Sequence, residues 1–234
     1  DRAVVAIVNQ IRQTLDLETA FDITTRELRQ LLSADRMGIY AFNEDWSGQF
    51  IAEAVNAGWR PLLAPEARPI GRPGLNSLTS DQPRGDTLKR LRDRGYTVAD
   101  THLQERQGGI YRDGQTLAVK DIYQKGYSAC YVNVLEQMQI RAYLHVPIFK
   151  GTELWGILAV HHNSAPRVWA ESDLQTTQRV ASQLGVAIQQ AEYIDQLNGQ
   201  QRQLERVADR ERAISALVTK IRQSLDIELS LIHI

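Results

Sequence analysis

Only one of the 234 residues is a cysteine, Cys130, and that scarcity removes several possibilities at once. No intrachain disulfide can form and no multi-thiolate metal site can be assembled, which suits a chain working in a reducing compartment. Charge of either sign is in no excess: 27 basic against 28 acidic residues leave a net charge of -1. No bulk field draws such a surface to nucleic acid or to a membrane. No uninterrupted apolar run is long enough to span a bilayer, and Asp1 opens no signal-peptide pattern. With 43% hydrophobic and 24% charged residues, the chain reads as a soluble, cytoplasmic module able to bury a sizeable core.

Catalytic signatures are missing too. There is no GxxxxGK[ST] phosphate loop and no GxSxG elbow, and Gln107-Gly108-Gly109 lacks the strand-to-helix setting of a dinucleotide fingerprint. His161 and His162 are neighbours on an expected strand, so they face opposite sides and cannot chelate one metal ion together. A nucleophile built from Cys130 with His145 or His161 would need an orienting third group and oxyanion donors that no motif supplies. The expectation is neither an enzyme nor a metal site.

Periodicity and punctuation are present. Val5, Val8 and Ile11 recur at helical spacing within 2–12, as do Ile23, Leu28, Leu31 and Leu32 within 20–32. Residues 37–42 read as a buried strand, 43–48 as a turn and 49–55 as the returning strand. Five of the seven prolines and four glycines fall within 58–85, where no period survives, so a long irregular loop is expected there. A helix is expected over 86–94 and a brief strand over 116–119, with 97–114 otherwise irregular. Regularity returns with 141–149 and 154–162, two strands joined by the tight turn 150–153. Ser172-Asp173 is expected to cap a long helix starting at Leu174. This order predicts an α+β layout with helices on one face of an antiparallel sheet. The loop-rich 58–130 region is where a ligand pocket would be built.

Beyond the domain, Ile194, Leu197, Leu204 and Val207 keep a thin apolar stripe, with Asn198-Gly199 a weak spot inside it. A coiled-coil seam, a helix joining two domains and an ordinary terminal helix all fit that pattern. The two ends also match: residues 3–18 align with 213–228, which marks one unit of a tandem array. Residues 229–234 resemble nothing at 19–24 and read as an appended tail. The expected organisation is a connector helix over 1–17, a globular domain over 18–195, a connector over 196–228 that begins the next repeat, and a tail over 229–234.

By residue type alone, Cys130 would be a packed, buried small hydrophobe. Its neighbours argue otherwise. The run Asp100-Thr101-His102-Leu103-Gln104-Glu105-Arg106-Gln107-Gly108-Gly109 comes first. Cys130-Tyr131 before a short helix over 132–138 follows, and then Leu154-Trp155-Gly156-Ile157-Leu158-Ala159-Val160-His161-His162. In that order the three motifs resemble the bilin-binding GAF domains of cyanobacteriochromes, photoreceptors of the phytochrome superfamily. The likeness covers roughly residues 20 to 195.

The resemblance implies a GAF fold, with helices on one face of the central sheet and a bilin pocket on the other. It implies a linear tetrapyrrole, phycocyanobilin or biliverdin, joined to Cys130 by a thioether; the thiolate is the nucleophile, so the sulfur must be accessible. Asp100, by itself a surface turn residue, would accept hydrogen bonds from pyrrole N–H groups. His161, by itself a core histidine, would lie near the ring D carbonyl. Propionates call for cations or hydroxyls: Arg112 is the first choice and His145 the second, whereas Arg106 and Arg141 could equally be solvated. Light would isomerise the ring C–D double bond, and the change would pass into the helix beyond residue 174. Neighbouring GAF domains and a histidine kinase or chemotaxis-type output module are the implied partners, with the helices able to pair two copies.

Three departures from the red/green group bear on colour. Tryptophan is usual two residues before the aspartate, and here it is Val98; histidine usually follows the cysteine, and here it is Tyr131. A second cysteine, used elsewhere to reach blue or violet, does not exist. Val98 and Tyr131 resemble far-red or biliverdin-accepting members, so long-wavelength absorption is expected. Two other readings stay open: a GAF module binding a cyclic nucleotide or another small metabolite without a covalent bond, and a structural dimerisation unit.

Overall fold

Apolar spacing builds the first layer. Helix α1 (Arg2–Gln13) buries Val4, Ile7, Val8 and Ile11, and α2 (Leu17–Leu31) buries Leu17, Ala20, Phe21 and Leu28, each a stripe laid on a core. Asp16 separates them: its carboxylate accepts the Thr19 N–H as the N-cap of α2. The computed structural model describes residues 2–14, 16–63, 96–98 and 101–232. Most of the proline-rich loop and the expected helix over 86–94 lie outside the described residues. The chain divides into two units, Asp1–Ala191 and Glu192–Ile234.

The sheet of the first unit has six strands, β1 (Arg36–Phe42), β2 (Gly48–Val55), β3 (Tyr96–Val98), β4 (Leu117–Val119), β5 (Ala142–Lys150) and β6 (Glu153–His162). Their order is β3-β2-β1-β6-β5-β4, with every neighbouring pair antiparallel. Both hairpins expected from the sequence form. Along β1 and β6, alternate residues serve two cores: Ile39, Ala41, Leu158 and Val160 face one, while Tyr40, Phe42, Ile157 and Ala159 face the other. A register shift at Ile148/Phe149 skips Trp155, and this lets Trp155 join the first core against the ordinary alternation.

The first core is closed by α1, α2 and the start of the long helix α5 (Glu171–Ile232), through Val180, Leu184 and Ile188. Helix α1, expected as a connector, thus packs into the body of the domain. Gly185 brings α5 onto β5; a Cβ there would sit 1.9 Å from the Phe149 carbonyl oxygen. Helix α5 starts earlier than its apolar stripe suggests, because the Asp173 carboxylate accepts the Ala170 N–H in capping-box fashion. Asn198-Gly199 does not interrupt it. Within the second unit the helix exposes Leu197, Leu204, Val207, Ile214, Leu217 and Ile221. No helix among the described residues is long and apolar enough to cross a membrane.

On the other face, residues expected to be irregular form short elements: α3 (Thr101–Glu105) and a 3₁₀ turn over Gly109–Asp113. Helix α4 (Ala129–Gln137) begins earlier than expected, so Cys130 lies within its first turn instead of preceding it.

A candidate ligand cavity

A cavity of about 690 Å³ opens on the sheet face away from α1, α2 and α5. Its floor follows from strand periodicity. Tyr143 and His145 on β5 point the same way, as do Ala159 and His161 on β6, in the register Tyr143↔His161 and His145↔Ala159. The two imidazoles meet diagonally, Nε2 to Nε2 at 3.1 Å, and His145 Nδ1 lies 3.1 Å from Tyr111 Oη. The His145 ring also stacks on Tyr143 with 4.2 Å between centroids.

Burial pushes His145 down to about 3 and holds His161 well below its ordinary value, with positive charge on His145 or Arg36 adding to the latter. Both rings are therefore neutral near pH 7, and their contact needs one protonated and one bare Nε2. His161 Nδ1 is buried with no hydrogen-bond partner among the described residues, so the histidine chain ends on an unsatisfied polar atom.

A pH dependence follows. An unfolded histidine takes a proton near pH 6.5, whereas the folded pair does not until far lower. Between about pH 6.5 and 3 the unfolded chain binds the extra protons, so stability falls by up to about 1.4 kcal/mol per pH unit for each ring; above 6.5 the effect vanishes. Thermal unfolding of pigment-free protein at pH 7.5 and pH 5 should show a smaller pH-driven loss for His145→Gln than for the unsubstituted chain. Equal losses would contradict the assignment.

The cavity roof is α4. Ser128 caps its N-terminus, its hydroxyl accepting the Tyr131 N–H at 3.3 Å. Its other end is held by a buried ion pair. Arg36 Nη1 donates to the Met138 carbonyl and Nη2 to the Arg60 carbonyl, while Nε lies 2.8 Å from Glu53 Oε1. Glu53 Oε2 accepts the N–H groups of Leu62 and Leu63 at 2.8 and 3.1 Å. Burial lowers the Arg36 guanidinium and raises the Glu53 carboxyl, against the attraction between them. One pair thus ties β1, β2, residues 60–63 and the end of α4.

Cys130 is exposed on the first turn of α4, at the cavity wall, so it is not the buried hydrophobe its residue type suggests. Tyr131 lies in the same wall, its ring edge-on to Tyr127 at 4.9 Å, and Tyr127 Oη is bonded to Tyr143 Oη. Cys130, Tyr131, His145 and His161 are thereby brought together. Arg112 is not: it is exposed, donates to Gln107 Oε1 at 3.0 Å and lies over the Trp46 ring. Arg106 lies in the wall instead. Arg141 pairs with Asp121 at 2.9 Å. Val98 pairs with Gly48 on the edge strand β3, and Asp100 lies outside the described residues. Sequence reasoning missed Tyr111, Tyr127 and Tyr143; only Tyr143 carried a signal, two residues before His145 on one strand.

An antiparallel sheet with helices behind it and a deep cavity in front defines a ligand-sensing domain of the GAF type, and residues 16–188 match the family described as GAF domain. Among solved structures the chain is similar to the far-red absorbing dark state of JSC1_58120g3 with bound biliverdin IXa. That match has 35% identity, 82% of this chain and 99% of that one covered, and a TM-score of 0.63. It is similar also to the red-light-absorbing state of NpR6012g4, a red/green cyanobacteriochrome, at 41% identity, 76% and 97% coverage and a TM-score of 0.62. The circadian input-output histidine kinase CikA of Synechococcus elongatus is 28% identical over 217 residues, which are 90% of this chain and 26% of CikA. The chain belongs to the GAF family, on its cyanobacteriochrome and phytochrome branch, and is a sensory domain rather than an enzyme.

Proposed function

We propose that the chain is a photosensory domain that binds a linear tetrapyrrole, phycocyanobilin or biliverdin, through a thioether at Cys130. The observation that carries this is one exposed thiol at the wall of a 690 Å³ cavity whose floor holds two neutral histidines. The cavity lies within the roughly 300–1,000 Å³ of organic-ligand sites. The unsatisfied His161 Nδ1 and the Arg106 cation in the wall suit a ligand with carbonyl, pyrrole and carboxylate groups.

The bilin, when bound, supplies visible absorption and a double bond that light isomerises. The chain supplies the rest. Cys130 provides sulfur for the covalent bond, with the thiolate as nucleophile. His161, fixed by His145, offers a polar atom beside ring D. Asp100 accepts from the pyrrole N–H groups, and Arg106 is better placed than Arg112 for a propionate. Tyr131 and Val98, together with the likeness to a far-red absorbing protein, favour a long-wavelength dark state. The change passes through α5 to an output module of histidine kinase or chemotaxis type in the cytoplasm, with CikA supporting the kinase arrangement.

The test is an absorption spectrum, before and after illumination, of protein co-expressed with bilin synthesis. A red or far-red band that changes reversibly is expected. A colourless protein that binds cyclic nucleotides in calorimetry would instead support the metabolite-sensing reading. Val98→Trp should move the band, and an unmoved band would place residue 98 away from the chromophore.

A further inference from the structure

We propose that residues 213–228 are the first helix of a second GAF body, and that the apolar face they expose is that body's core face. The proposal rests on membership of the GAF family but not on bilin binding. Between 3–18 and 213–228, nine of sixteen positions are identical, and Val4, Ile7 and Leu17 change only to Ile214, Leu217 and Ile227. In α1 the side chains of Val4, Ile7, Val8 and Ile11 are 5%, 4%, 7% and 1% exposed. Their counterparts Ile214, Leu217, Val218 and Ile221 are 51%, 60%, 43% and 57% exposed.

The i, i+3, i+4, i+7 stripe has the width of a helix facing a globular core, whereas a two-stranded seam uses two positions in seven. The narrower stripe of Leu197, Leu204 and Val207 is separated from it by the charged run Asp209-Arg210-Glu211-Arg212. The polar positions argue independently. Arg12 Nε donates to Gln183 Oε1 on α5 at 2.8 Å, and Asp16 caps α2. Arg222 and Asp226 stand at the equivalent places. A coiled coil has no use for that arginine–aspartate spacing; a domain that starts its second helix at residue 227 does. The occupant of the face is therefore a sheet-and-helix body of the GAF kind whose first helix is this one.

The test is a fusion of residues 1–228 followed directly by a second copy of residues 19–191, so that 213–228 stands where 3–18 stands in the first body. Calorimetry of the pigment-free fusion should give about twice the unfolding heat of the unfused chain, at a similar temperature. Leu217→Asp with Ile221→Asp should remove the second half of that heat or lower its transition by about 10 °C or more. The first body, which those substitutions do not touch, is the internal control. A second body that stays unfolded in the unsubstituted fusion overturns the proposal. So does a transition indifferent to the two aspartates, which would leave the face to pair with another copy. Because the readout is heat and not colour, failure here is separate from failure of the photosensor reading.

Discussion

Replacing Cys130 with alanine is expected to abolish covalent pigment attachment completely while leaving the fold intact. The side chain is exposed on the first turn of α4 and fills no part of either core. Its loss should therefore change stability by no more than about 0.5 kcal/mol, the usual range for surface substitutions. On a denaturing gel soaked in zinc, the unsubstituted holoprotein should fluoresce and the variant should not. No other thiol can take over, since the chain has one cysteine. Fluorescence that survives the substitution would remove Cys130 as the anchor.

The second large effect lies away from the cavity surface. Arg36→Met leaves Glu53 buried without its cation, a change that typically costs about 3–5 kcal/mol. For a domain of this size that lowers the melting temperature by roughly 6–20 °C. Adding Glu53→Gln should recover part of the loss, because the neutral amide oxygen still accepts the Leu62 and Leu63 N–H groups. The same substitution releases the Met138 carbonyl at the end of α4, so bilin attachment to Cys130 should slow in parallel. A melting temperature within about 2 °C of the unsubstituted protein would show that the pair does not hold the roof.

Local pattern made most of this fold legible. The hairpins announced themselves by alternation, and the helices by apolar stripes. The halves of the cavity floor on β5 and β6 followed from the same two-residue period that put His145 on the pocket side. What stayed hidden is what depends on distance in space. Arg36 reads as one more charged residue until it is seen to meet Glu53, Met138 and Arg60 at once. Arg112 and Arg106 are six residues apart in chemically identical form, and only the turn at Gln107-Gly108-Gly109, with three positive φ values, decides which one enters the wall. The skipped Trp155 is equally invisible in a run of apolar letters.

The central sheet is a septum one chain thick. His161 lines the cavity, and its covalent neighbour Val160 is fully buried in the opposite core with Val180 and Leu184. A ligand pressing on the imidazole thus stands a single peptide unit from the layer that carries α5. Close-packed interiors transmit such strain with little give. The shortest mechanical route from pocket to helix therefore runs through the partition, at right angles to the strands, and avoids the loops around its rim.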